Sequence, residues 1–409
     1  MGLNTVPIDD GLLAEIDLVA LGASSGLLWC SPNVTLVGFG DITEVSLGVA
    51  TGAEELTAAL ESKRGQSSVR VPGSGPVAFT ALPFDRSSLG RAQLPEIVIG
   101  QVGAERFLTS PVDVSFGSIT EQALALAPST SEPMPDSISV ELSISASAWR
   151  DEVVAAARRR LERSDMQKAV FARELHLRAN ADFPVARIVR DLGRRFPATM
   201  LFAIDGFIGA SPELLVSRSD RTVRAHPLAG TASRSDDPEV DAARIEGLRA
   251  SAKDRTEHRI TIDWLLAELL PFCSYVDAEP EPSVLSMANV HHLGTLVEGV
   301  LSAPAVSVLD LVRAVHPTPA LGGDPQQDAL ALIDELEGFD RGRYGGPAGW
   351  VDVDGNGEFA VSVRTADIDG AHARVCAGVG VVAQSDPEDE LIETQAKFRA
   401  MLSSVLNPE

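Results

Sequence analysis

The chain has 409 residues, 44% apolar and 22% charged, an ordinary globular balance for a protein able to bury a large core. A formal net charge of −24 argues against a nucleic-acid partner or an anionic membrane surface, since both need a basic face. Cys30, Cys273 and Cys376 are far apart and form no CxxC pair, so neither a disulfide framework nor a zinc site is indicated. The first residues lack a basic segment followed by an apolar run, and no apolar stretch can span a bilayer, so the expected location is the cytoplasm.

In chain order, residues 1–145 read as strand-rich: LLWCSPNVTLVGFG is a hairpin about Ser31-Pro32-Asn33, and PVAFTALPF and PEIVIGQV are further strands. Pro and Ser concentrate in 127–139, the best linker candidate. Ser145 to Arg163 has helical spacing, QKAVFAREL reads as a strand with Lys168 near its start, and FPVARIVRDLGRRFP as a helix. MLFAIDGFIGASPELLVSRS predicts two strands around a glycine turn, and Asp236 to Leu270 predicts helix. VHHLGTLVEGVL predicts one strand, VSVLDLVRAVHP and DPQQDALALIDELEGF predict helices, and the segment from Gly346 to Ser385 predicts three strands. A closing helix starts near Asp386. Strands in hairpin groups favour an α+β fold with antiparallel sheets over a parallel doubly wound one.

On the closing helix Glu390, Glu393 and Lys397 share one face, as a solvated charge pattern or as a cation-binding one. Asp254 and Glu257 form a second carboxylate pair, which either balances Lys253, Arg255 and Arg259 or joins the first in clamping a hard cation such as Mg²⁺. Glu213 is either a β-edge glutamate in water or, in an apolar pocket, a protonated acid. Lys168 either reaches water along its stem or is desolvated and serves as a base. HPLAGTASR (226–234) is an ordinary loop or an anion-binding one, and HPTPALGG (316–323) a rigid loop. Adjacent His291 and His292 face opposite sides of a strand. DVDGNGEF opens like a calcium loop but has Val363 where its twelfth position needs Glu, so it reads as a turn.

Taken together and in this order, QKAVFAR, GASPELLVSR, HPLAGTASR, SAKDRTEHRITID, HHLGTLVEG, HPTPALGG, RGRYGGPAGW, SVRTA, CAGVGVVAQS and PEDELIETQAK resemble the chorismate-utilising enzymes. The likeness covers roughly residues 165 to 400; before Ser145 only LLWCSPN and the following strand match, loosely. It implies one α+β unit over 1–409, with two packed antiparallel sheets and helices outside, residues 1–145 being a structural half and 146–409 carrying the motifs. It also implies chorismate as substrate and Mg²⁺ as cofactor. Relatives of the isochorismate and salicylate synthase kind use water and carry a lysine matching Lys168; anthranilate synthase-like members use ammonia from an amidotransferase partner. The Ala320-Leu321 loop resembles the isochorismate synthase version, against a salicylate synthase that goes on to eliminate pyruvate.

The implied roles are Lys168 as general base and Glu213 as general acid. Glu257 and Glu393 are implied as direct metal ligands, with Glu390 and Asp254 close by. Arg364 and Tyr344 with the Gly378 backbone would hold the enolpyruvyl carboxylate. Gly230 and Thr231 would line the ring carboxylate site, Ala320 and Leu321 would shape the pocket, and His292 and Lys397 would orient bound groups. A monomer without an amidotransferase partner is expected. KAVFAR and SVRTA depart slightly from the family's usual wording without removing a chemical group.

Overall fold

The computed structural model describes residues 2–9, 16–126, 132–287 and 290–408, without the side chains of Lys253 and Glu257. The α+β class is as expected, and the pairings are antiparallel except for Leu3–Pro7 beside Arg64–Ser67. Among the described residues, ladders join twenty strands into one branched network, and a three-stranded sheet stands apart.

Seven elements position the cavity described below: strands β1 (Lys168–Ala179), β2 (Leu228–Ser233), β3 (Val290–Gly294) and β4 (His372–Val381), and helices α1 (Pro238–Ala250), α2 (Ala252–Leu269) and α3 (Pro387–Leu406). β1 pairs with β4 in a long ladder that sets Val170 opposite Gly380 and Ala172 opposite Gly378. Strand alternation turns Lys168 and Val170 to one face and buries Ala169 and Phe171 on the other, among Trp149, Leu332 and Leu391. β2 and β3 pair in the separate sheet.

The start of α3 follows from its sequence. Asp386 caps it by accepting from Glu388 N at 2.8 Å and Asp389 N at 3.3 Å. Pro387 holds the first turn, and Glu388, Asp389 and Glu390 favour the positive end of the helix dipole.

Several sequence expectations are corrected. Pro212 cannot donate to a ladder, so 200–219 forms three strands, Met200–Ile204, Phe207–Ser211 and Leu214–Ser219, and Glu213 lies in the gap between the last two. The predicted helix over 236–270 is two helices, because Ser251 leaves helical geometry and caps α2 at Asp254 N (3.2 Å). The predicted strand at 290–301 is β3 plus Val297–Leu301, which belong to different sheets. The terminal three strands are four, with Thr365–Asp369 separate from β4. Of the linker, 127–131 lies outside the described residues, and its end enters the strand Ile138–Leu142.

The DVDGNG segment is a turn between strands, as expected. Its Asp352 carboxylate is occupied by Gly73 N and Asn356 N, both at 2.9 Å.

Candidate active site

A cavity of about 380 Å³ lies among the β1–β4 ladder, the three-stranded sheet, α2 and α3. Lys168, Glu213, Gly230, Thr231, Asp254, His292, Ala320, Leu321, Tyr344, Arg364, Gly378, Glu390, Glu393 and Lys397 all line it, so segments more than 200 residues apart in sequence converge. The Glu257 side chain, expected as a metal ligand, lies outside the described residues.

Glu213 is buried, and its neighbours fix the backbone. Its N–H donates to Ser211 Oγ (3.3 Å), and its carbonyl accepts from Val361 N (3.0 Å). Burial pushes its carboxyl up to about 7, against the Leu228 N–H and the charges of Lys168, Arg364 and Lys397, which all favour the anion. Its Oε1 has no hydrogen-bond partner. The group is therefore poised to carry and release a proton near neutrality.

Across the cavity, Arg364 Nη2 donates to His292 Nε2 at 3.2 Å. That assigns the imidazole proton to Nδ1, which faces Thr231 Oγ1 at 3.1 Å and the Gly230 carbonyl at 3.3 Å. Burial and then the Arg364 charge lower His292 to about 3, so it stays neutral. Arg364 Nη1 is buried without a partner, and burial lowers the guanidinium to about 10. Its backbone holds a left-handed φ of 56°, a conformation that costs a side-chain-bearing residue about 1–3 kcal/mol. A guanidinium lining a cavity with its Nη1 unpartnered is suited to a carboxylate.

Burial also pushes the Tyr344 phenol up, and Gly378 N–H donates to it. Lys397 Nζ bridges Glu393 Oε1 (2.7 Å) and the Gly378 carbonyl (2.8 Å). Burial alone would raise Glu393, but the charge and hydrogen bond of Lys397, with the Lys168 charge, outweigh it and hold the carboxylate below its usual range. His291 faces away from the cavity, as expected, with Nε2 2.9 Å from Asp241 Oδ1 on α1 and Nδ1 2.8 Å from Ser286 Oγ.

Glu390 and Glu393 from α3 and Asp254 from α2 offer hard oxygen donors around one cavity. Among the described residues no three carboxylate, histidine or cysteine groups already meet as an ion site. The donor chemistry nonetheless fits Mg²⁺, which takes one or two carboxylates and completes its shell with waters and substrate oxygens.

Two features were missed in the sequence. Gly380 lies under Lys168, and only the β1–β4 register reveals it. Arg341 is buried in a two-pronged pair with Glu337 (2.6 and 2.7 Å) and donates to Leu321 O (3.0 Å) and Val170 O (2.6 Å). Glu337 also accepts from Ala172 N at 2.7 Å, so the pair ties the 316–323 loop to β1. The motif RGRYGG contained Arg341, and Glu337 stands four residues before it, but nothing local marked the Leu321 and Val170 carbonyls that Arg341 reaches.

A family model described as chorismate binding enzyme matches residues 23–406, and the chain belongs to that family. Isochorismate synthase DhbC of Bacillus subtilis is 40% identical over 257 residues, which is 60% of this chain and 65% of that protein. Isochorismate synthase MenF of the same organism is 33% identical over 354 residues, covering 81% of this chain and 75% of that protein. The solved structure of MenF, the menaquinone-specific isochorismate synthase of Escherichia coli, has a TM-score of 0.81. It is 23% identical and covers 98% of this chain and 94% of that one, a likeness of fold.

Proposed function

We propose that this protein is an isochorismate synthase, converting chorismate to isochorismate with water and Mg²⁺. The observation that carries this reading is that Lys168 and a Glu213 carboxyl pushed up to about 7 line one cavity with Arg364, whose Nη1 has no partner. Relatives named isochorismate synthase support it.

Chorismate brings two carboxylates. Arg364 and Tyr344, beside Gly378, would hold the enolpyruvyl carboxylate. Gly230 and Thr231 would line the place of the ring carboxylate, with Ala320 and Leu321 shaping the pocket. His292, fixed as the Nδ1–H tautomer, and Lys397 would orient the bound groups. Glu393 and Glu257 would hold Mg²⁺ directly, with Glu390 and Asp254 close by. The ion, when bound, neutralises and polarises the ring carboxylate.

Lys168 acts as the base, its Nζ taking a proton from water as the water oxygen bonds to the ring carbon. Both ring double bonds shift, the bond to the leaving hydroxyl breaks, and Glu213 donates the proton with which that hydroxyl departs as water. One water enters and one leaves, so the net change is an isomerisation. Proton exchange with solvent resets both residues.

Residues 1–145 belong to the same chorismate-binding unit in this reading, supported by ladders from Leu27–Cys30 to Met200–Ile204 and from Val77–Ala81 to Pro347–Asp352. The enzyme would be a cytoplasmic monomer without an amidotransferase partner, supplying siderophore or menaquinone synthesis. No helix among the described residues is long and apolar enough to cross a membrane.

The test is incubation with chorismate and MgCl₂, following products by chromatography. Isochorismate without pyruvate, abolished by EDTA, is expected. Salicylate with pyruvate would replace the reading by a salicylate synthase, and no conversion would overturn it.

A further inference from the structure

Lys168 lines a second cavity besides the one that holds Glu213 and Arg364. We propose that this second cavity is the route by which water reaches Lys168. The inference rests on the isochorismate synthase reading and adds to it the path of the nucleophile.

The space is about 630 Å³ and borders α2 at Ala252, Thr256, Ile260 and Thr261. Lys168 is the residue the two cavities share. Their cations differ. The first adds Arg364 and Lys397, partners for the carboxylates of a dianion, beside its own Glu213, Asp254, Glu390 and Glu393. The second has Asp165 and Asp324 and, among its described lining residues, no basic group besides Lys168. A dianion is disfavoured there, whereas a small neutral hydroxyl compound meets hydroxyl, amide and carboxylate partners. Substrate seated in the first cavity covers the face of Lys168 on that side. Lys168 still borders the second cavity. Water arriving there gives its proton to Lys168 Nζ as its oxygen bonds to the ring, and the leaving hydroxyl takes the Glu213 proton. Incoming and outgoing waters therefore use different sides of the substrate.

The route is tested by filling it from two lining segments, with Ala383→Phe and, separately, Ser164→Phe. Each is compared with wild type for kcat, KM for chorismate, Mg²⁺ requirement and melting temperature. The expected result is at least a tenfold fall in kcat, with KM and Mg²⁺ requirement within twofold and the melting temperature retained. A raised KM at unchanged kcat overturns the proposal, because the cavity then admits substrate. Unchanged kinetics in both folded variants overturns it too. If Ala383→Phe fails to fold, Ser164→Phe decides. Absence of isochorismate from the wild-type enzyme in the same assay sinks the functional reading itself, a separate outcome.

Discussion

The Lys168 side chain lies against Gly380, where an added Cβ would fall 2.3 Å from Cε and 3.0 Å from Nζ. Gly380→Ala must therefore displace the proposed base while leaving the ladder hydrogen bonds in place. Misplacing a reacting group by about an ångström costs on the order of 100-fold in rate. We expect a kcat loss of that order, little change in KM and an unaltered circular dichroism spectrum. A Gly380→Ala enzyme with full kcat would contradict the position assigned to the base.

Lys168→Ala and Glu213→Gln should each fold and each lose roughly 10²- to 10⁴-fold in isochorismate formation, the range for general acid–base groups. Chromatographic product assays on variants with matched melting curves measure this. A fully active Lys168→Ala protein would remove the mechanism.

Glu213 has a pH signature in stability as well as in rate. Its carboxyl is raised from 4.5 to about 7, so the folded chain binds this proton more tightly than the unfolded chain. The resulting stabilisation is fully present below about 4.5 and is lost as pH rises through about 7. At ~1.4 kcal/mol per pKa unit the loss is on the order of 3 kcal/mol. Glu213→Gln cannot ionise, so it should melt above wild type near pH 8.5, with the gap closing by pH 5. In the wild type kcat should fall above about pH 7 as the acid loses its proton.

Arg364→Lys removes the fork whose Nη1 is unpaired and whose Nη2 holds His292. Charge-assisted hydrogen bonds contribute about 1.5–3 kcal/mol, so KM for chorismate should rise roughly 10- to 100-fold, with a smaller effect on kcat. Steady-state kinetics give the split, and a loss confined to kcat would argue against a substrate-binding role.

Glu393→Gln should raise the MgCl₂ concentration needed for half-maximal activity at least tenfold. In a second readout, MgCl₂ should raise the wild-type melting temperature and leave the variant's unchanged, because only a ligand bound to the folded state stabilises it. Equal thermal shifts in both proteins would exclude Glu393 as a ligand.

Elements with a strong local signal were legible in the chain. Asp386-Pro387 marked the start of α3, and its spacing set Glu390, Glu393 and Lys397 on one face, as the cavity shows. Strand breaks were less legible. Apolar runs continue across Pro212 and across Thr295-Leu296, so periodicity alone joined strands that the fold assigns to different ladders.

The order of motifs was enough to identify the family, because local chemistry and motif sequence survive without knowledge of where segments meet. Which side of each ambiguous residue was true depended on that meeting. Glu213 is raised because the fold buries it, against the Leu228 N–H and the charges of Lys168 and Arg364, and the local Arg341–Glu337 pair is buried because it bridges the 316–323 loop to β1. Desolvation and short-range contact fall off within a few ångströms. Partners distant in sequence leave no mark on one another until the sheets bring them together.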